Sequence, residues 1–159
     1  GLGAVHAAGI VHRDIKPENV HLVKRGADDD FVKLVDFGIA RVLESEGMGP
    51  TTTQSGRVFG TATYISPEAA TGDETDQRSD IYSLGVIAYY VLCGKLPYSG
   101  APMEVVMQHR QGKARPVNEV NPEVTDEIAG LVADMMRVEP SERIQTMADV
   151  RDRIRTLLA

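Results

Sequence analysis

The chain has 159 residues, 42% of them apolar and 25% charged, a balance that fills one ordinary domain around a buried core and excludes disorder and fibre. Seventeen Lys and Arg against 23 Asp and Glu leave a formal charge of −6, without the basic surplus that contacts to a phosphate backbone draw on, so no nucleic-acid partner is expected. The single cysteine, Cys93, closes no internal disulfide and belongs to no Cys/His cluster, which suits a reducing, cytoplasmic setting and argues against structural zinc.

In chain order, residues 1 to 8 carry Leu2, Val5 and His6 at helical spacing, and Gly9 stands where a left-handed residue ends such a helix. After Ile10 and Val11 a polar stretch runs from His12 to Asn19. Two β-type runs follow, Val20 to Val23 and Phe31 to Val35, which read as an antiparallel hairpin around Lys24 to Asp30. In such a pair the residue entering the first strand lies beside the residue leaving the second, which predicts Asn19 next to Asp36. Two oxygen ligands brought together in this way are either a solvated polar pair or a seat for a hard cation such as Mg²⁺, shared with phosphate oxygens. The run Asp28-Asp29-Asp30 lacks the spacing and the distal glutamate of a calcium loop, and is expected as a solvated hairpin tip.

Glu44 through Val58 holds three glycines, a proline, three threonines and two serines; it reads as a long functional loop. From Asp80, Ile81, Leu84, Ile87/Ala88 and Val91/Leu92 recur at helical spacing, with more apolar residues on the other faces, predicting a helix buried nearly all round. The apolar stretch Ile81 to Gly94 is 14 residues long, short of the roughly 20 that cross a bilayer, so no membrane insertion is expected within this segment. Three further helices are predicted at about 102–111, 123–138 and 146–158, punctuated by Pro116, Pro122 and Pro140. Arg151, Arg153 and Arg155 spread around the last of these and are assigned no partner. The chain opens with Gly1 rather than Met and has no signal-like start, which reads as part of a longer protein.

The chemistry concentrates in His12-Arg13-Asp14-Ile15-Lys16-Pro17-Glu18-Asn19 and, across the hairpin, Asp36-Phe37-Gly38. Both stretches match the catalytic-loop and metal-binding signatures of protein kinases. The resemblance continues through Gly60-Thr61-Ala62-Thr63-Tyr64-Ile65-Ser66-Pro67-Glu68, similar to the end of a kinase activation segment, and Asp80-Ile81-Tyr82-Ser83-Leu84-Gly85, similar to the start of the large central helix. It covers essentially the whole chain. The sequence resembles the C-terminal lobe of a Ser/Thr protein kinase, and in its wording the bacterial eukaryotic-like kinases. The implied fold class is α+β: a mainly helical lobe with a small antiparallel hairpin, residues 1–159 forming a partial kinase domain without its N-terminal lobe.

The resemblance implies transfer of the ATP γ-phosphate to Ser/Thr hydroxyls of protein substrates, with Mg²⁺, or Mn²⁺ in its place, as cofactor. Asp14 would orient the hydroxyl and accept its proton. Lys16 would meet the transferring phosphate. Asn19 and Asp36 would hold the metal ions, and Thr61 would lie in the segment that receives the target residue. His12, Phe37, Gly38 and Asp80 are expected in structural roles, with Asp80 accepting hydrogen bonds from the backbone of the loop. Glu68 and Arg143 are expected as a charge pair tying the segment's end to the last helices.

Arg13 and Arg41 would receive a phosphate added at Thr51, Thr52, Thr53 or Ser55, by autophosphorylation in trans within a homodimer. His21 stands where the family presents an apolar side chain beneath the adenine, and Ser66 replaces a more common alanine. The glycine-rich loop, strand lysine and helix glutamate of the N-terminal lobe are not in the chain, so the segment alone is expected to be inactive. Two alternatives stand beside the active kinase: a pseudokinase or scaffold, and a small-molecule phosphotransferase of the aminoglycoside type. Lys16-Pro17, Asp36-Phe37-Gly38 and Ser66-Pro67-Glu68 speak against the latter.

Overall fold

The computed structural model describes residues 1–26, 28–36 and 62–159. Phe37, Gly38, Arg41, Thr51, Thr52, Thr53, Ser55 and Thr61, and with them the loop predicted over 44–58, lie outside the described residues. The elements in order are α1 (Leu2–Ala7), β1 (Val20–Arg25), β2 (Asp28–Leu34), α2 (Pro67–Thr71), α3 (Gln77–Cys93), α4 (Pro102–Gln111), α5 (Val117–Val120), α6 (Asp126–Met135) and α7 (Met147–Leu157). Single 3₁₀ turns fall at Pro17–Asn19, Ala62–Tyr64 and Pro140–Glu142. The described residues are thus mostly helical, with one two-stranded antiparallel sheet.

The hairpin forms, but its strands reach further than the apolar runs suggest. Asp28 to Asp30 belong to β2, with Arg25 facing Asp28 after a register shift, so the three aspartates are ladder residues rather than a tip. Backbone pairing continues past the last apolar residue because the ribbon lies in water, where polar side chains cost the ladder nothing. Lys24 and Asp29 pair on it at 2.7 Å, both about seven-tenths exposed.

α3 is the hub. It starts three residues earlier than the apolar pattern, at Gln77, because Asp76 caps it: the carboxylate accepts the Arg78 N–H at 2.8 Å. Its buried side chains include Ile81, Tyr82, Val86 and Tyr89, whereas Val91 is 73% exposed. The helix is therefore buried along its first two-thirds and surfaces at its C-terminal end, not buried all round. Tyr82, Val86, Tyr89, Tyr98, Val132 and Met136 share one apolar cluster, and Ile81, Leu131, Met135 and Val150 a second on the other flank.

α3 and α6 approach so closely at Gly85 that a Cβ there would lie 2.9 Å from both Met135 Cβ and Met136 Cγ. Only a residue without a side chain fits. α6 is shorter than the predicted 123–138: Thr125 accepts the Ile128 N–H and fixes the start, and Met136 closes the end. The short helices α2 and α5 carry too few residues for a 3.6-residue period to register in sequence. Ser66 caps α2, with Pro67 in its first turn. Arg153 of α7 reaches Asp134 of α6 at 2.8 Å, joining the last two long helices.

Candidate active site

The stretch between α1 and β1 is irregular, and its shape comes from one buried carboxylate on α3. Asp80, 1% exposed, accepts the His12 N–H on Oδ2 and the Arg13 N–H on Oδ1, each at 2.8 Å, while His6 Nε2 from α1 reaches Oδ2 at 2.8 Å. A carboxylate with two oxygens and several lone pairs can collect such donors at once. Arg13 is held at φ 65, a left-handed backbone that L-residues adopt only at a cost of about 1–2 kcal/mol. Its amide bond to Asp80 offsets that cost.

His12 is fully buried and joins the loop to the hairpin's exit. Its Nε2 lies 3.1 Å from the Val35 carbonyl and its Nδ1 3.4 Å from the Asp14 N–H. A carbonyl only accepts, so Nε2 carries the proton and Nδ1 receives the Asp14 amide. One ring thereby ties the backbone of Asp14 to the residue preceding Asp36. Ile15, 3% exposed, plugs into the interior between Asp14 and Lys16 and leaves those two side chains outward.

Asp14, Lys16 and Asn19 form one hydrogen-bonded cluster. Lys16 Nζ donates to Asp14 Oδ2 at 2.7 Å, with the side chains 26% and 22% exposed. Asn19, delivered by the 3₁₀ turn Pro17–Asn19 and buried, donates through Nδ2 to the Asp14 carbonyl at 2.8 Å and to Asp14 Oδ2 at 3.0 Å. Both donors of the carboxamide are spent, so its oxygen is the group left to meet a cation. Among the described residues the hydrogen bonds to the Asp14 carboxylate fall on Oδ2 and none on Oδ1.

The register sets Val20 opposite Leu34, and the Val35 N–H donates to the Asn19 carbonyl at 3.1 Å. Asn19 therefore faces Val35, and Asp36 is one residue further along the same strand exit. Asp36 is exposed and also left-handed, at φ 52. Two non-glycine residues with positive φ on either side of one cluster are the kind of backbone outlier that functional sites retain.

Asn19 and Asp36 supply hard oxygen donors, which fit Mg²⁺ or Mn²⁺. Among the described residues no three His, Cys, Asp or Glu side chains converge as a metal site; an ion held here needs oxygens from a ligand, as phosphates provide.

A second charged node closes the lobe below the segment that ends at Glu68. Arg143, 3% exposed, donates to both Glu68 oxygens, Nη1 to Oε1 at 2.8 Å and Nη2 to Oε2 at 3.1 Å, and to the carbonyls of Arg78, Arg137 and Val138. Its guanidinium also lies 4.9 Å from the Tyr82 ring centre. Burial pushes the Glu68 carboxyl up, but hydrogen bonds from Arg143 and Ser79 and the Arg143 charge outweigh it and hold it below the usual range.

Sequence reasoning assigned no role to His6 or His109. His6 is readable only once Asp80 is known to be buried beside α1. His109 gives no local signal, because its partners are Thr63 and Tyr82, 46 and 27 residues away.

A mostly helical fold with a two-stranded ribbon, an Asp-Lys-Asn cluster and an aspartate two residues past the end of β2 define a class. A family model for the protein kinase domain matches residues 1–153, and the chain belongs to that family. A probable serine/threonine-protein kinase of Streptomyces coelicolor is 42% identical over 147 residues, covering 92% of this chain and 21% of that protein. Serine/threonine-protein kinase PknB of Mycolicibacterium smegmatis is 42% identical over 147 residues, 92% of this chain and 23% of its own length. Serine/threonine-protein kinase pkn2 of Myxococcus xanthus is 40% identical over 156 residues, 96% and 18% respectively. The chain spans about a fifth of the length of these curated relatives. Among the described residues no helix is long and apolar enough to cross a membrane.

Proposed function

We propose that this chain is the C-terminal lobe of a protein serine/threonine kinase and carries its phosphotransfer residues. The supporting observation is the Asp14-Lys16-Asn19 cluster, in which Asp14 has one oxygen committed to Lys16 and Asn19 and the other uncommitted. A substrate Ser or Thr hydroxyl donates to Oδ1 of Asp14. As its oxygen bonds to the γ-phosphorus of ATP, the bond to the β,γ-bridging oxygen breaks, ADP leaves, and the hydroxyl proton passes to Asp14. Lys16, paired with Asp14 before substrate arrives, turns its charge to the γ-phosphoryl oxygens, where negative charge is greatest in transfer. Asn19 and Asp36 hold the divalent ion, which when bound neutralises the phosphates and keeps them in line.

Ser/Thr preference is supported by Lys16-Pro17 and by the relatives, which are named serine/threonine-protein kinases. Thr61 then belongs to the surface that receives the acceptor, Phe37 and Gly38 continue the metal-binding stretch, and Arg13 with Arg41 receives a phosphate placed at Thr51, Thr52, Thr53 or Ser55 by a second copy of the kinase. Protein substrates and ATP are the partners.

The test uses the full-length protein with ATP and a generic basic protein as acceptor. Asp14→Ala is expected to lower kcat by a factor of about a thousand or more while thermal stability stays within a few degrees. Transfer that survives Asp14→Ala, or a wild-type protein that transfers nothing, overturns the reading.

A further inference from the structure

His109 is fully buried, yet it is not an apolar filler. An imidazole withdrawn from water is costly unless both ring nitrogens find partners, and here both do. Nε2 lies 3.1 Å from the Thr63 carbonyl and Nδ1 2.8 Å from the Tyr82 hydroxyl. Because the carbonyl only accepts, the proton sits on Nε2, and Tyr82 must donate to Nδ1. Burial lowers the His109 pKa to about 4 and raises that of the Tyr82 hydroxyl, so neither group changes its donor pattern near neutrality. Tyr98 packs edge-on against the same ring, centroids 4.7 Å apart, and fixes its plane.

The object of this grip is the turn Ala62–Tyr64. Its next carbonyl, that of Tyr64, accepts the Ser83 hydroxyl of α3 at 2.7 Å, and Ala62 is buried beneath it. Two successive carbonyls of one turn are thus held from below, one by α4 and one by α3. The loop carrying Lys16 acts on this turn through charge: burial first, and then the Glu18 carboxylate, raises the Tyr64 phenol. Glu18 is two residues after Lys16.

We propose that His109 is a positioning residue for the acceptor side of the site, setting from α4 the height of the 62–64 turn relative to the catalytic loop. This deepens the kinase reading and rests on it, because only in that reading does the turn continue the segment on which the target hydroxyl is presented. The polar and ring contacts of His109 are with Thr63, Tyr82 and Tyr98, none of them with Asn19 or Asp36, so its influence falls on the protein substrate.

The experiment compares wild type, His109→Phe, His109→Gln and Tyr82→Phe in the full-length protein, with ATP and a generic basic protein. His109→Phe keeps the ring volume and loses both hydrogen bonds; it is expected to raise KM for the protein about tenfold with KM for ATP unchanged within twofold. His109→Gln, whose amide offers one donor and one acceptor, is expected to recover most of that loss. Tyr82→Phe removes one hydroxyl with little change of volume, which keeps the test open if His109→Phe does not fold, and is expected to raise the protein KM about threefold. Amide hydrogen exchange at residues 62–66 is expected to quicken in His109→Phe and not in His109→Gln. Active variants in which both KM values are unchanged, or rise together, overturn the proposal and leave the kinase reading standing. A wild-type protein without phosphotransfer overturns the kinase reading and the substrate role with it, while faster exchange in His109→Phe would still report the grip on the turn.

Discussion

Two buried charges of opposite sign organise this fold, and they do it differently. Asp80 gathers donors from α1 and from two consecutive amides of one loop, His12 and Arg13. Arg143 spends its donors on Glu68, 75 residues away, and on carbonyls from two separate stretches, residue 78 and residues 137 and 138. The anion shapes a local conformation that includes a left-handed arginine; the cation joins pieces of chain that lie far apart in sequence. A carboxylate with backbone partners is a template, and a guanidinium with five donors in a plane is a clamp.

If that contrast holds, breaking the clamp should cost stability first and breaking the template should cost activity first. Arg143→Ala is expected to destabilise by about 3–5 kcal/mol, because it leaves Glu68 charged and half-enclosed and three carbonyls short of a donor; urea unfolding of the full-length protein checks it. Asp80→Asn keeps one acceptor but turns an NH₂ toward a backbone N–H, and is expected to cost about 2–3 kcal/mol. Its effect on kcat should exceed the fold-change that its loss of stability accounts for. If Arg143→Ala loses activity with no change of stability, the contrast fails.

His109 adds a neutral node with its own pH signature. Its folded pKa of about 4 lies below the ordinary 6.5, so between those values the unfolded chain binds a proton that the folded chain does not. Stability is complete above pH 6.5 and falls as the pH drops through this window, by about 3 kcal/mol at its lower end. Stability curves against pH for wild type and His109→Gln should diverge there. Glu68 follows at lower pH with the same sign: its lowered carboxyl contributes above its unfolded value of 4.5, and the contribution is lost as the pH falls through the folded one.

Smaller effects sharpen the comparison from outside the nodes. Gly85→Ala drives a methyl into Met135 and Met136 and is expected to cost about 1–3 kcal/mol, with α3 and α6 forced apart; thermal denaturation reads it. Lys24→Ala on the exposed ribbon is expected to stay within about 0.5 kcal/mol, since that pair is open to solvent. A large effect there would mean that the ribbon is held by more than its own ladder.

Much of the lobe was legible before any coordinate. The run from His12 to Asn19 states its chemistry in consecutive residues, and α4 and α7 lie within a residue or two of their predicted spans because cap, proline and apolar period agree. What was misread shares one cause. The extent of β2 and the late surfacing of α3 each depend on which neighbour covers or pairs a residue, and periodicity records only that some face is apolar. His6 and His109 went unassigned because an isolated histidine carries no local pattern that separates a core group from an anchor.

From the order of its amino acids alone, the chain determined which polar groups stand together between His12 and Asn19 and roughly which stretches are helix or strand, since motif and period act over fewer than twenty residues. Only the folded structure decided how those groups are held. A buried charge or imidazole takes whichever partners packing brings within about 3 Å, and those that Asp80 and His109 find, like the Glu68 partner of Arg143, stand 27 to 75 residues away along the chain.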